Sequence, residues 1–185
     1  MRILGIDPGL DITGYGVVRQ NKESIEIIEA GTIKTSSKQN LLTRLNIIYS
    51  GVASLIEETK PKVCILEKLY SHYRHPMTAI LMGHARGVIV LAVSLANLEL
   101  INYPAKTVKR AVTGNGNASK QQVQRTVEGF LNLKHFKEPV DITDALALCL
   151  THIYHSTSMA LRGTKCRSNP KKEISVVSLP RNGKR

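Results

Sequence analysis

The stretch RILGIDPG (residues 2–9) is an apolar run that ends in one acid and a turn. The run has the length and composition of a short β-strand, and the Pro-Gly pair at its end is a strong turn signal. Gly14 to Arg19 resumes the apolar pattern after the turn, which predicts a hairpin. Asp7 should therefore lie at the carboxyl edge of a central strand, where open α/β sheets place their sites.

The chain beyond this hairpin switches between strand and helix patterns. Further strands are predicted over residues 24–34, 63–66 and 98–103, and helices over 40–60, 76–97, 105–112, from Ser119 to about Leu133, and from Asp141 to about His155. Gly83, Ala85 and Gly87 suggest a smooth helix face for close packing. Three antiparallel strands followed by crossover units predict an α/β three-layer sandwich, with a sheet flanked by helices.

Length and composition favour one domain with a tail. A chain of 185 residues with 42% hydrophobic content can bury one sizeable core, which we assign to residues 1–160. Residues 161–185 carry eight Lys or Arg and a single acid, Glu173, and they lack a clear periodicity. We expect this segment to be a flexible basic tail.

Targeting and redox signals point to the cytoplasm. The chain leads directly into its first strand, so we expect no signal peptide. The longest apolar stretch, Gly87 to Ala96, is too short to cross a bilayer, and we expect no membrane partner. Cys64, Cys149 and Cys166 are odd in number and far apart, which is typical of free thiols in a reducing compartment.

The net charge of +12 and the pI near 9.8 favour a polyanionic partner. Neutralising phosphates releases counterions and attracts a basic protein at long range. Basic tails also serve solubility or attraction to membrane surfaces. Nucleic acid is the partner that the charge and the acids together favour.

Glu67 follows four apolar residues of a strand that should be buried. A carboxylate there is costly unless it is paired or coordinates a cation. The alternative is an ion pair with Lys68, Arg74 or Arg86. For Asp7, the alternative is a residue that only shapes the turn through its own side chain.

Asp141 and Asp144 are three residues apart at the start of the last predicted helix. They share one face, near the positive end of the helix dipole, which favours their ionised forms. The alternative is an N-terminal cap with an acid three positions later, as in a capping box.

Convergence of these four acids would make a site for hard cations. A fold that brings Asp7 and Glu67 to neighbouring strand ends can lay the last helix across them. Such a set of oxygens suits Mg²⁺, with Mn²⁺ as a substitute. Two ions about 3.5–4 Å apart could activate water and stabilise the leaving 3′-oxygen of a phosphodiester.

The motifs resemble those of one family, the RuvC-type crossover-junction endodeoxyribonucleases, which are Holliday-junction resolvases of the RNase H-like fold. GIDPG (5–9), TGYGV (13–17), Glu67, GHARGV (83–88) and DITDALA (141–147) follow one another in family order. The resemblance covers residues 1–155, and it implies the RNase H-like form of the sandwich, with a mixed central sheet.

The resemblance assigns Asp7, Glu67, Asp141 and Asp144 to a catalytic cluster that binds magnesium. It implies a homodimer whose two sites nick opposed strands of a four-way DNA junction, in recombination and repair. The expected products are 5′-phosphate and 3′-hydroxyl ends. The family also implies a branch-migration motor complex as a partner.

The resemblance further implies DNA-contacting residues. Tyr70 matches an aromatic position after the catalytic Glu, where a ring can stack on a base; the alternative is a packed loop residue. Lys109 and Lys120 match positions that contact phosphates. Lys106 and Arg110 could join them in a positive rim, and the alternative is a solvated helix face.

Some features depart from the family pattern or leave alternatives open. His75 stands where Asn is common, and Asp11 adds an acid that could tune metal affinity. We assign no catalytic role to His84, His152 or His155. The rival functions are an RNase H-like nuclease acting on structured RNA, an ATPase of the actin and sugar-kinase fold, and a junction-binding module without activity.

Overall fold

A mixed five-stranded sheet forms the middle of the protein. The computed structural model describes residues 1–21, 24–68, 76–131 and 140–163. The strands are β1 (Arg2–Asp7), β2 (Ile12–Gln20), β3 (Ile25–Lys34), β4 (Val63–Glu67) and β5 (Glu99–Tyr103). The helices are α1 (Leu41–Thr59), α2 (Pro76–Leu95), α3 (Ala105–Thr113), α4 (Lys120–Phe130) and α5 (Val140–Gly163).

The sheet order is β3-β2-β1-β4-β5, which places the first strand at the centre. β1 pairs with β2, and β2 with β3, in antiparallel register, as the hairpin pattern predicted. β4 pairs in parallel with both β1 and β5. α1 and α2 supply the crossovers that such parallel pairs require.

Two apolar clusters, one on each face of the sheet, hold the layers together. α1 and α2 cover one face through residues such as Ile48 and Ile89, which are fully buried. α3, α4 and α5 cover the other face through residues such as Val127 and Leu146. The predicted three-layer α/β sandwich is therefore confirmed.

The ends of two helices differ from the sequence prediction. α4 ends at Phe130 rather than near Leu133. α5 continues to Gly163, well beyond His155. In the added turns the hydroxyls of Ser156 and Thr157 donate to the carbonyl oxygen of Ile153, so these polar side chains bond within the helix.

Several predictions made from the sequence fall on residues that the structure does not describe. Tyr70, Arg74 and His75 lie outside the described residues. Residues 164–185 lie outside them too, so the division into a domain and a basic tail stays a prediction.

The apolar segment of α2 is longer than the stretch from Gly87 to Ala96 that the sequence analysis singled out. Met77–Leu95 has a mean hydropathy of 1.7, and by length and composition alone it could cross a membrane. One such helix is weak grounds for a membrane segment, because core helices pass the same test. Here the helix connects β4 to β5, which are neighbours in one sheet, and it buries Ala85 and Ile89 in the core of the domain.

The small residues of α2 lie in two different environments. Ala85 is buried, but a Cβ atom added at Gly83 or Gly87 would meet no atom within 4 Å in the described part of the chain. The predicted close packing therefore occurs at Ala85 within the domain, and at Gly83 and Gly87 it stays a prediction.

The close packing of small residues occurs instead between the sheet and α5. A Cβ atom at Gly5 would overlap the carbonyl oxygen of Ala145, and one at Gly14 would overlap that of Asp141. At Gly16 an added Cβ would come within 2.7 Å of Leu146 Cδ2. Three glycines on β1 and β2 thus let the backbone of α5 lie directly on the sheet.

Gly5→Ala should destabilise the fold by about 3 kcal/mol or more, because the new methyl group must push α5 away from β1. Gly129→Ala is the matched control, since an added Cβ on α4 meets nothing within 4 Å among the described residues. It should be neutral or stabilise by up to about 1 kcal/mol. Urea denaturation of both variants tests the contact, and equal midpoints would contradict it.

Candidate active site

Two of the predicted acids lie side by side at one edge of the sheet. β1 and β4 are parallel, and Ile6 is the register partner of Leu66. The next residues along the two strands are Asp7 and Glu67, so their positions are adjacent at the carboxyl edge. The sequence prediction of neighbouring strand ends is confirmed for this pair.

The turn after Asp7 is held by other groups. The hydroxyl of Thr13 donates to the carbonyl oxygen of Gly9 at 2.6 Å. Thr35 Oγ1 donates to the carbonyl oxygen of Leu10, also at 2.6 Å. Within the described residues the carboxylate of Asp7 accepts no hydrogen bond from this turn, so the turn-shaping alternative for Asp7 is wrong.

α5 carries the other two acids to the same edge. Gly14 is the cross-strand partner of Asp7, and it also lies against the backbone of Asp141. Asp141 belongs to the first turn of α5, which begins at Val140. Asp141 is therefore not the N-terminal cap that the capping-box alternative required.

The other three acids act electrostatically on Asp7. Burial raises the pKa of Asp7 to about 7, and the nearby charges of Asp144, Glu67 and Asp141 add to this effect, which Lys120 opposes. Such mutual effects require short separations between charges. The fold thus gathers acids from β1, β4 and α5 into one group.

The pKa of Glu67 is likewise raised, first by burial and then by Asp144. The charges of Lys109 and Lys120 oppose this increase. In the described part of the chain Glu67 forms no ion pair with Lys68 or Arg86. Arg86 instead donates to Asn102 on β5. The third candidate partner of Glu67, Arg74, lies outside the described residues, so that part of the alternative is not tested.

Lys120 is the positive group in contact with the acids. Its Nζ lies 2.8 Å from Asp144 Oδ2, and this hydrogen bond raises the pKa of the lysine. Lys120 and Lys109 line one cleft with Glu67 and Asp144, with a volume of about 310 Å³. Ala105, Val108, Val123 and Ala147 complete the cleft.

The other predicted basic residues lie farther from this cleft. Lys106 and Arg110 are exposed on α3 and are not among its lining residues. Lys106 packs beside Gly116, where an added Cβ would lie 3.0 Å from Lys106 Cγ. They can extend the positive surface but do not contact the acids.

Asp11 has its own partner. Arg44 on α1 forms an ion pair with the carboxylate of Asp11, and Arg44 Nε also donates to Thr35 Oγ1 at 2.9 Å. Asp11 is absent from the charges that act on Asp7. A direct role of Asp11 in tuning the acidic group is therefore not supported.

The acidic group fits a hard cation in its donor chemistry. It offers carboxylate oxygens, which Mg²⁺ and Mn²⁺ prefer, and a positive charge would relieve the repulsion that raises the pKa of Asp7. Among the described residues, no three His, Cys, Asp or Glu side chains already enclose a single point.

Histidines lie along α5, away from the cleft. Tyr103 Oη is 3.2 Å from His152 Nδ1, and the ring of Tyr103 stacks on that of His155 with centroids 5.2 Å apart. Burial lowers the pKa of His152. Neither histidine is among the residues that line the cleft.

Sequence reasoning missed the glycines that position α5 and the pairing of Lys120 with Asp144. The signal for the glycines was present, because Gly14 and Gly16 alternate on β2 and so share one face of the sheet. The ion pair had no local signal, since its two residues belong to different helices.

Comparisons with known proteins identify the family of the chain. The model of the family "crossover junction endodeoxyribonuclease RuvC" matches residues 3–152. The chain is 44% identical to the RuvC of Rhodopirellula baltica over 152 residues, which cover 82% of this chain and 85% of that protein. It is 39% identical to the RuvC of Caldicellulosiruptor saccharolyticus over 160 residues, covering 86% and 96% of the two chains.

A solved structure of Thermus thermophilus RuvC in complex with a Holliday junction substrate superposes with a TM-score of 0.79. The two sequences are 30% identical, and the match covers 86% of this chain and 96% of that chain. The RNase H-like fold that the resemblance implied is confirmed. By its matched length, its identity to these relatives and its fold, the chain belongs to the RuvC family of crossover junction endodeoxyribonucleases.

Proposed function

We propose that this protein is an endonuclease that resolves four-way (Holliday) DNA junctions in recombination and repair. The observation that carries the proposal is that Glu67, Asp141 and Asp144 lie near enough to Asp7, at one edge of the sheet, for their charges to act on it. Family membership supports the same activity, and a related protein was solved with a Holliday junction substrate. No observation favours structured RNA as the substrate.

The chemistry of the site is metal-dependent phosphodiester hydrolysis. We propose that the four acids hold two Mg²⁺ ions, for which Mn²⁺ can substitute. When bound, such ions activate water for attack on phosphorus and stabilise the leaving 3′-oxygen, leaving 5′-phosphate and 3′-hydroxyl ends. Asp7 is the central ligand in this proposal, because the other three acids all raise its pKa.

The lysines of the cleft bind and orient the phosphate backbone. Lys109 and Lys120 stand beside Glu67 and Asp144, so a phosphate that enters the cleft meets acids and ammonium groups together. The ion pair between Lys120 and Asp144 neutralises the charge of one carboxylate when no other cation is bound. Lys106 and Arg110 extend this surface to phosphates farther along the strand, and Tyr70 stays a predicted base-stacking residue.

We further propose that the active form is a homodimer that pairs through α2. Four large apolar side chains on this helix are strongly exposed: Met77 (67%), Ile80 (51%), Leu91 (50%) and Leu95 (62%). An apolar stripe of this kind is typical of a protein–protein interface. A second copy of the chain is the occupant that paired nicking of opposed strands requires.

The setting of the enzyme follows from its substrate. We place it in the cytoplasm together with the chromosome. A branch-migration motor complex stays a predicted partner, since no described residue bears on it.

Asp7→Asn should lower the rate of Mg²⁺-dependent junction cleavage by about 10²–10³-fold or more, because it removes the central carboxylate of the cluster. Junction affinity should persist, since the positive surface is intact. Asp11→Asn is the control: it alters an exposed acid paired with Arg44 and should cut at nearly the wild-type rate. Cleavage of labelled junctions tests both, and undiminished cutting by Asp7→Asn would overturn the site.

The raised pKa of Asp7 predicts how stability depends on pH without metal. The pKa in the folded state is about 7, above the ordinary value of 3.8, so an ionised Asp7 disfavours folding. This cost is complete above about pH 7, declines as the pH falls, and is absent below about pH 4. Asp7→Asn should therefore raise the free energy of unfolding by about 2–4 kcal/mol at pH 8 and hardly at all at pH 4.

Urea titrations in EDTA measure this difference. Mg²⁺ should then stabilise the wild-type protein more strongly at pH 8 than at pH 5, and should stabilise Asp7→Asn less. A difference between the two proteins that does not vary with pH would contradict the assigned environment of Asp7.

Leu91→Glu should convert the dimer to a monomer, because it places a charge within the exposed apolar stripe of α2. Leu42→Glu is the matched control, since Leu42 is 82% exposed on α1. Sedimentation velocity measures the oligomeric state. A Leu91→Glu protein that sediments as the wild type does would remove α2 from the interface.

A further inference from the structure

A basic recess lies at the amino edge of the sheet, opposite the acidic cleft. Its volume is about 410 Å³. It is lined by Met1, Arg2, Arg19, Asn21, Lys60 and Lys62. β1 separates the two sites by its length of six residues, or about 20 Å.

The fold holds these cations together from three directions. Arg2 and Arg19 are directly opposite each other on β1 and β2. The backbone N–H of Lys62 donates to the carbonyl oxygen of Arg2 at 2.9 Å, which fixes the start of β4 beside them. The N-terminal ammonium donates to Gln20 O at 2.6 Å on the same edge.

Few of these charges are neutralised. Arg19 pairs with Glu26 at 3.2 Å, and Arg2 Nη1 donates to the carbonyl oxygen of Thr59 at 2.7 Å. Each guanidinium has five N–H donors, so both keep free donors. Lys60 and Lys62 are exposed, and within the described residues neither forms an ion pair.

Two local features of the recess work against stability. Like charges on directly opposed strand positions, as in Arg2 and Arg19, repel each other. Lys60 caps α1 in the left-handed conformation, with φ 46° and ψ 58°, where glycine is strongly favoured. Departures of this kind from local preference tend to mark functional positions.

We propose that this recess is a second phosphate-binding surface, which holds the backbone of a duplex DNA arm away from the acidic cleft. The inference rests on the proposed junction substrate. Arms that extend from the cleft carry phosphates past the domain at high local concentration, so even a modest second contact adds to affinity. Guanidinium forks and ammonium groups are the usual ligands of phosphate oxygens.

The lining favours a nucleic acid over an acidic protein. Met1 is its only apolar side chain. Protein interfaces need apolar or aromatic anchors at their centre, whereas phosphate contacts need only donors and charge. Lys60 and Lys62 are exposed, whereas Arg2 and Arg19 are partly buried, so the two lysines are the residues to change.

The test compares Lys60→Gly/Lys62→Gln with the charge-preserving control Lys60→Arg/Lys62→Arg. Binding of a labelled junction with long duplex arms is measured by anisotropy in EDTA over a range of salt concentrations. The first variant should reduce the slope of log K against log salt by about 1–2, because two phosphate contacts are lost. The arginine control should keep the wild-type slope.

Two further measurements make the result specific. Thermal midpoints should show no loss of stability in Lys60→Gly/Lys62→Gln, since glycine suits the left-handed cap of α1. In Mg²⁺, Lys60→Gly/Lys62→Gln should raise the junction concentration needed for half-maximal cleavage, whereas the arginine control should not. If the wild-type protein itself does not cleave the junction, the proposed function is wrong. That outcome is independent of the salt dependence of binding.

If Lys60→Gly/Lys62→Gln shows the same slope of log K against log salt as the wild type, the proposal of a second phosphate-binding surface is wrong. The same holds if this variant loses affinity for polyglutamate while its affinity for the junction is unchanged, because the recess would then serve an acidic protein.

Discussion

The direct contact between α5 and the glycines of β1 and β2 is the constraint on which the site depends. Without side chains at Gly5 and Gly14, the helix backbone lies against the strands themselves. Asp141 is then held beside the strand pair that carries Asp7. If side chains at these positions pushed α5 away from the sheet, Asp7 and Glu67 on the strands would be separated from Asp141 and Asp144 on the helix.

Because the acids lie close together, the repulsion between their negative charges must be offset by other groups in the site. Burial and three neighbouring acids raise the pKa of Asp7 to about 7, in a protein whose formal net charge is +12. The overall positive charge attracts a polyanion at long range, while the local negative charge of the four acids favours the binding of cations. Lys120 connects the two roles, since it belongs to the basic surface and contacts Asp144.

Much of this fold could be predicted from residues close together in sequence. The apolar runs with their turn signals located the strands, and Glu67 at the end of a buried strand marked the carboxyl edge. The ion pair of Lys120 with Asp144 could not be predicted, because it depends on how α4 and α5 pack. The length of α5 was also missed, since the polar residues Ser156 and Thr157 satisfy their hydroxyls inside the helix, which sequence alone does not reveal.

The order of the acids along the chain has a consequence for biosynthesis. Asp7 belongs to the first strand and Asp144 to the last helix, so ribosomes complete the cluster only when nearly the whole domain has emerged. Prematurely terminated chains that lack α5 carry at most two of the four acids. An incomplete chain therefore lacks the set of four acids that is proposed to bind the metal ions.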